Sequence, residues 1–294
     1  TKAGIYGILI LSCDLFLYDG MWGRLILAIG VITMLGGALL AVFSIDLKRT
    51  LACSSMSQIG FILVGIGMQG MLGEENALAV HGTVLHMVNH SLIKLVLFMA
   101  AGVIYMNTHL LDLNKIRGFG RKKPLLKLIF LTGALAIGGI PLFGGYVSKT
   151  LLHEAIVEYG GGMVMKLVEW LFLISGGLTV AYMTKLYVAI FVEENMDNKL
   201  QEQYDGMKKY MDKASAFALG GSALILLLWG LVPHMTMDRA AKLAEGFMNY
   251  HAAGSVQTIQ YFSLNNLSGG LISIVIGVIV YVFFVRKILI RKSG

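Results

Sequence analysis

Cysteine is almost missing from this chain of 294 residues: only Cys13 and Cys53 occur, each in an apolar stretch. Neither belongs to a CxxC pair or a Cys/His cluster. Both read as inert buried thiols, and no disulfide framework, iron–sulfur site or zinc site is encoded. No haem or other cofactor motif is present, so the chain is expected to hold no cofactor and no metal. Charge is scarce too, at 14% of residues against 56% hydrophobic. A mean hydropathy of +0.74 excludes a soluble globular domain and indicates an integral membrane protein. The net charge of +7 is no nucleic-acid signature, because no basic face interleaved with aromatics accompanies it. An initiator Met and a signal peptide are also lacking. The sequence opens at Thr1-Lys2 inside an apolar run, which reads as the C-terminal part of a longer membrane protein.

Apolar runs are abundant instead. Hydropathy predicts spans near 1–18, 24–45, 50–69, 78–106, 122–157, 163–193, 212–233 and 268–290. Most hold the ~20 apolar residues that a membrane helix needs. The fifth is too long: about 36 residues of straight helix would run ~54 Å against a ~30 Å hydrocarbon core. It also contains Gly138-Gly139-Ile140-Pro141 and Gly144-Gly145, which interrupt helices. It is therefore one broken helix or two crossings.

Loop charges separate these cases. With one crossing, one face receives Lys48, Arg49, Lys115, Arg117, Arg121, Lys122, Lys123, Lys199, Lys208, Lys209, Lys213, Arg286, Lys287, Arg291 and Lys292. The other face receives Arg24, Lys166, Arg239 and Lys242. With two crossings the bias nearly vanishes. The positive-inside rule favours one crossing, with the charge-rich face and the C-terminus cytoplasmic. Interrupted membrane helices are tolerated where they line a cavity or pack inside protein, and they often mark ion sites.

Chemistry can reside in only a few residues. His86, His90 and Lys94 stand four residues apart within one apolar span. Steps of four leave about 40° of drift each on an α-helix, so the three share one face over about 12 Å of rise. A charge at the membrane centre costs at least ~2.5–3.5 kcal/mol on insertion scales, which makes an intramembrane ionisable residue a functional candidate by default. Lys2, Lys149 and Lys185 also fall in apolar spans, and Lys149 follows the Gly144-Gly145 interruption directly. A buried lysine beside exposed carbonyls is balanced between its charged and neutral forms, and histidine titrates near neutrality unaided. For a lysine near a span end, such as Lys185, snorkelling to the interface is the alternative reading. His81 lies near a span mouth and reads as a surface or capping residue, and Asp14 as interfacial. The 17 methionines read as lipid-facing and core packing.

Three ordered motifs then resemble a known family. The run Asp46-Leu47-Lys48-Arg49-Thr50-Leu51-Ala52, followed by Ser54-Ser55-Met56-Ser57-Gln58-Ile59-Gly60-Phe61, is similar to the signature stretch of antiporter-like membrane subunits. These occur in respiratory complex I, in membrane-bound energy-converting hydrogenases including formate hydrogenlyase, and in Mrp-type sodium/proton antiporters. His86-Met87-Val88-Asn89-His90-Ser91-Leu92-Ile93-Lys94 and Ile140-Pro141-Leu142-Phe143-Gly144-Gly145-Tyr146-Val147-Ser148-Lys149 fit the same family, and Lys2-Ala3-Gly4-Ile5-Tyr6-Gly7 resembles the segment with its bridging lysine. The resemblance covers about residues 1–195.

It implies an all-α polytopic membrane protein containing the second of two inverted five-helix repeats, with one broken helix. Residues 22–194 would be that repeat, 1–18 the end of a preceding transmembrane helix, and 195–294 two C-terminal transmembrane helices with connecting loops. It further implies that Lys94 is the central proton carrier, that Lys149 is an outlet or relay, that His86 and His90 connect them through water, and that Lys2 bridges to the first half. Lys185 and Lys48 are accessory candidates. The first half would hold a glutamate–lysine pair that is not present here, so this chain alone should not form a complete channel. Some relatives carry a lateral helix after the last span, and the basic run Arg286 to Lys292 is where one could begin. The expected function is ion translocation in a redox-driven pump of a bacterial or archaeal cell membrane. The expected partners are other membrane subunits of a respiratory or hydrogenase complex, the missing N-terminal half and the lipid bilayer. The alternatives are an Mrp-type antiporter without redox chemistry and a packing half that moves no ions; a quinone-reducing enzyme fits least.

Overall fold

The computed structural model describes residues 2–248 and 260–289, and helices dominate it. Helix α1 (Lys2–Ile10) continues in a π-wound turn, and α2 (Gly20–Phe43), α3 (Leu47–Leu72) and α4 (Ala77–Thr108) follow. Next come α5 (Pro124–Gly138), α6 (Gly144–Tyr159), α7 (Gly162–Phe191), α8 (Asn198–Gly206) and α9 (Lys213–Leu231). The last are α10 (Pro233–Glu245) and α11 (Leu264–Ile279), which runs on π-wound through Val280–Leu289. Among the described residues, six helices are long and apolar enough to cross a membrane: α2, α3, α4, α7, α9 and the segment Asn266–Lys287 around α11.

The few acidic residues do much of the punctuation. Asp19, Asp46, Asp197 and Asp212 each stand before a helix and accept from its first free N–H groups, which nothing inside the helix can satisfy. Pro124 and Pro233 open α5 and α10 at their first turns, where a missing N–H costs nothing.

Helices α2 and α3 meet backbone to backbone. A Cβ added at Gly23, Gly30 or Gly37 would lie 2.7, 2.7 or 2.4 Å from α3 backbone atoms, and one at Gly60 would lie 2.2 Å from Met34 N. Small residues at seven-residue spacing permit this approach, as in membrane bundles generally.

The broken helix crosses the bundle once. At its start, Gly118 N and Gly120 N donate to Ala189 O and Ile190 O at the end of α7, both at 2.9 Å. At its finish, Glu158 lies close enough to Glu75, in the α3–α4 turn, to feel its charge. The interruption runs over residues 139–143. Gly139 takes φ +75°, a left-handed conformation natural to glycine, and ends α5.

Two features differ from the sequence reading. The stretch after residue 195 holds α8 and α10 as well as two long helices. Both extra helices are short and polar, so a search for apolar runs passes over them. Lys123, read as a solvated loop charge, is 1% exposed. Its Nζ donates to Phe119 O at 2.8 Å and Tyr204 O at 2.9 Å and sits 4.2 Å from the Phe119 ring centroid. Burial pushes this loop ammonium down to about 8, with Asp205 pulling the other way. An unfolded chain keeps the ordinary lysine value near 10.4, so between about pH 8 and pH 10 the unfolded state binds more protons, and this site favours folding increasingly as pH rises. The melting temperature of wild type relative to Lys123→Met should therefore climb across that window. A flat difference would mean that Lys123 is hydrated.

Candidate functional site

Helix α4 runs unbroken and carries His86, His90 and Lys94 on its buried face, 2%, 4% and 8% exposed. Lys94 Nζ donates to Leu51 O of α3 at 2.8 Å and to Ser54 Oγ. The Phe98 ring centroid lies 5.7 Å away. Backbone carbonyl, hydroxyl and ring face all favour a cation without supplying a counter-charge. Among the described residues, no carboxylate stands within salt-bridge distance of Lys94 or Lys149.

His86 bridges two other helices. Its Nε2 is 3.1 Å from Gln58 Oε1 on α3, and its Nδ1 is 2.9 Å from Ser148 Oγ on α6. An amide oxygen only accepts, so in the neutral ring Nε2 carries the hydrogen and Nδ1 accepts from the serine. Asn89 Nδ2 donates to Ser148 Oγ at 3.0 Å and to Gly144 O at 2.7 Å, which fastens α4 to the start of α6. From α7, the fully buried Tyr182 donates to Thr179 Oγ1 at 3.4 Å and faces Ser54 and Gln58. A polar row thus runs from Lys94 through Ser54, Tyr182, Gln58 and His86 to Ser148.

Lys149 follows Ser148 directly. Its Nζ donates to Ile137 O at 2.8 Å. That carbonyl is free because α5 stops one residue later, so the interruption itself supplies the acceptor, at the negative end of a helix dipole. The Phe61 ring centroid lies 4.9 Å from the same nitrogen.

The remaining sequence candidates separate from this row. Lys185 is buried, and its Nζ donates to Ala41 O at 3.0 Å, Val42 O at 2.6 Å and Ser44 O at 2.6 Å. It does not snorkel to the interface: it caps the C-terminus of α2, where a cation is favoured. Lys185→Met should deprive the carbonyls of Ala41 and Val42 of this donor and leave Ser44 O with the longer bond from Thr50 Oγ1, lowering stability by about 1–3 kcal/mol, read as an earlier melting transition. An unchanged melt would show that the cap is dispensable. Lys48 is exposed and stays outside the row. Lys2 begins α1, but its side chain lies outside the described residues, as do Arg291 and Lys292. His81 is buried rather than superficial, with Nε2 2.8 Å from Glu245 Oε1 on α10.

Sequence reasoning missed Ser54, Gln58, Asn89, Ser148 and Tyr182 as members of the site. The available signal was their polarity within apolar spans, since unpaired polar groups are costly there.

Comparison with known proteins follows this geometry. Residues 1–191 match the family described as NADH:quinone oxidoreductase/Mrp antiporter, transmembrane. Hydrogenase-4 component B of Escherichia coli K12 is 33% identical over 209 residues, 65% of this chain and 30% of that protein. The structure of the Mrp complex from Dietzia sp. DQ12-45-1b contains a chain of the same fold, with TM-score 0.74, 24% identity and coverage of 97% of this chain and 29% of that one. The archaeal membrane-bound sulfane sulfur reductase, a respiratory membrane complex, contains another, with TM-score 0.73, 21% identity and coverage of 100% and 47%. The chain spans about a third of the length of the hydrogenase component it matches.

Proposed function

This chain belongs to the NADH:quinone oxidoreductase/Mrp antiporter transmembrane family, and we propose that it translocates protons as an antiporter-like subunit of a redox-driven membrane complex. One observation carries the reading: a polar row leads from Lys94 to Ser148, next to Lys149, through the interior of an otherwise apolar bundle. Proton conduction needs groups that take up and release protons, linked by groups that both donate and accept. Lys94, His86, His90 and Lys149 are of the first kind. Serine and tyrosine hydroxyls are of the second.

In this reading Lys94 is the central carrier. Driving chemistry in a partner subunit shifts charge along the membrane, and Lys94 answers by exchanging its proton. A hundredfold change in proton affinity needs only about 2.7 kcal/mol, which one neighbouring charge supplies at low dielectric. His86 and His90 pass the proton, Lys149 relays it at the broken helix, and Lys2 connects to the other half of the subunit. The chain itself contributes no redox group. Its partners are the other membrane subunits and the lipid bilayer, and the face gathering the loops at 44–46, 109–123 and 192–212 is cytoplasmic.

The hydrogenase relative supports the redox-driven version. The fold shared with a chain of the Mrp complex supports a second reading, sodium/proton exchange driven by ion gradients. Inverted membrane vesicles holding the intact complex separate the two. The redox reading expects lumen acidification that starts with the electron donor and ignores sodium. Acidification or alkalinisation set off by sodium alone, with no donor, would replace it by the exchange reading.

A further inference from the structure

The polar row described above ends at Ser148, the residue before Lys149, yet the polar chemistry continues along α6 and α7. His153 stands one turn beyond Lys149 on the same face of α6. Its Nε2 lies 3.2 Å from Glu169 Oε1 on α7, and its Nδ1 lies 3.8 Å from Glu154 Oε1. Exposure rises in order along this path: Lys149 is 9% exposed as a residue, and the His153 and Glu169 side chains are 16% and 32% exposed. The α6–α7 turn at Gly160–Gly161 is about two helical turns from His153, so the path heads for the face opposite the basic loops.

Between Lys149 and His153 lies a cavity of about 30 Å³, also bordered by Thr150, Asn266 and Ser273. That is room for one or two waters, and the lining supplies the polar partners such waters require. Helix α11 roofs it with small residues. A Cβ at Gly269 would stand 3.4 Å from the His153 ring, and one at Gly270 would stand 3.0 Å from the Tyr146 ring. On the α11 side of the cavity, Asn266, Gly269, Gly270 and Ser273 carry no charge. Among the described residues, the charged groups facing His153 are Lys149 across the cavity, Glu154 on its own helix and Glu169 on α7.

We propose that His153 and Glu169 form the outer proton port of the subunit, receiving through this water-sized cavity the proton that Lys149 releases and handing it to the medium. The proposal rests on the proton-translocating reading of Lys149. In the step, an N–H bond of the Lys149 ammonium breaks and its proton passes through a bridging water to the neutral His153 ring, leaving a neutral amine. The imidazolium then gives a proton to Glu169 or to bulk water and returns to its neutral form. Lys149 reloads from the row through Ser148. The paired carboxylates hold the transient imidazolium in place, as a carboxylate beside a histidine does elsewhere.

The test uses inverted vesicles with the intact complex, comparing wild type, Lys149→Met and His153→Ala for proton transfer per turnover of the driving reaction. Removing a positioned proton-transfer group is expected to slow His153→Ala by about tenfold or more. Imidazole in the medium should restore the rate by occupying the vacated space, whereas pyrrole, of equal size but without a basic nitrogen, should not. If His153→Ala pumps like wild type while Lys149→Met does not, the port is overturned and the reading of Lys149 stands. If Lys149→Met also pumps like wild type, the underlying reading falls. Should the alanine variant fail to assemble, His153→Gln keeps a hydrogen bond to Glu169 but cannot carry a proton: a loss supports the port, and a wild-type rate overturns it. Rescue by pyrrole equal to that by imidazole would reduce His153 to a packing residue.

Discussion

Lys94→Met will leave the complex assembled and stop proton transfer through this subunit. Methionine matches the length and flexibility of the lysine stem and is at home among apolar side chains. The substitution removes a charge whose burial costs energy and withdraws one donor from Leu51 O, which also accepts from the Ser54 and Ser55 hydroxyls. The carbonyl therefore keeps partners, and replacing a buried charge by a well-packed apolar group is often neutral or stabilising. The loss is chemical: no group remains at that position to take up a proton. Lumen acidification in inverted vesicles should fall to the level of an uncoupled control. The driving reaction should either slow or run uncoupled, while the amount of complex stays that of wild type. Acidification at the wild-type rate would refute the assignment.

Gly145→Val should prevent assembly altogether. Gly145 is the second residue of α6, packed against the end of α5. A Cβ there would lie 1.8 Å from Ala136 O and 3.0 Å from its carbonyl carbon. The obstruction is backbone, so no rotamer change relieves it; the two halves of the broken helix must separate. Separation pulls Lys149 on α6 from Ile137 O on α5. Overpacking of this kind is expected to cost about 3 kcal/mol or more, enough to deplete the complex from the membrane. Gly36→Ala on α2 is the matched control: a Cβ there meets nothing within 4 Å, and alanine is the better helix former. Measured by complex yield and melting temperature, Gly145→Val should fail and Gly36→Ala should match or exceed wild type. A Gly145→Val complex melting like wild type would show that the junction is looser than described.

How much of this was legible beforehand depends on the physics of each feature. The spans were readable because membrane burial imposes long apolar runs, and the broken helix because Gly138 to Pro141 and Gly144-Gly145 cannot continue one. The single crossing followed from loop charge and agrees with the packing of α7 beside the start of α5. The shared face of His86, His90 and Lys94 followed from helical periodicity alone. What stayed hidden depended on where helices end in space. Lys185 looks like a relay candidate in sequence, yet the termination of α2 at Phe43 turns it into a cap. Lys123 looks like a topology charge, yet α8 closes over it. Gln58 and Ser148 lie in recognisable motifs, but their meeting at His86 required three helices to be placed together. The amphipathic α10 escaped notice because its apolar stripe is short, and with it went the pairing of His81 with Glu245.

The central claim is that Lys94 changes its charge during turnover, and infrared difference spectroscopy on the intact complex reads this most directly. With lysine labelled by nitrogen-15, spectra would be recorded with the driving reaction running and at rest. The account predicts an isotope-shifted ammonium band that appears and disappears with turnover in wild type and is missing in Lys94→Met. A wild-type spectrum without that band, or one that Lys94→Met leaves unchanged, would contradict it.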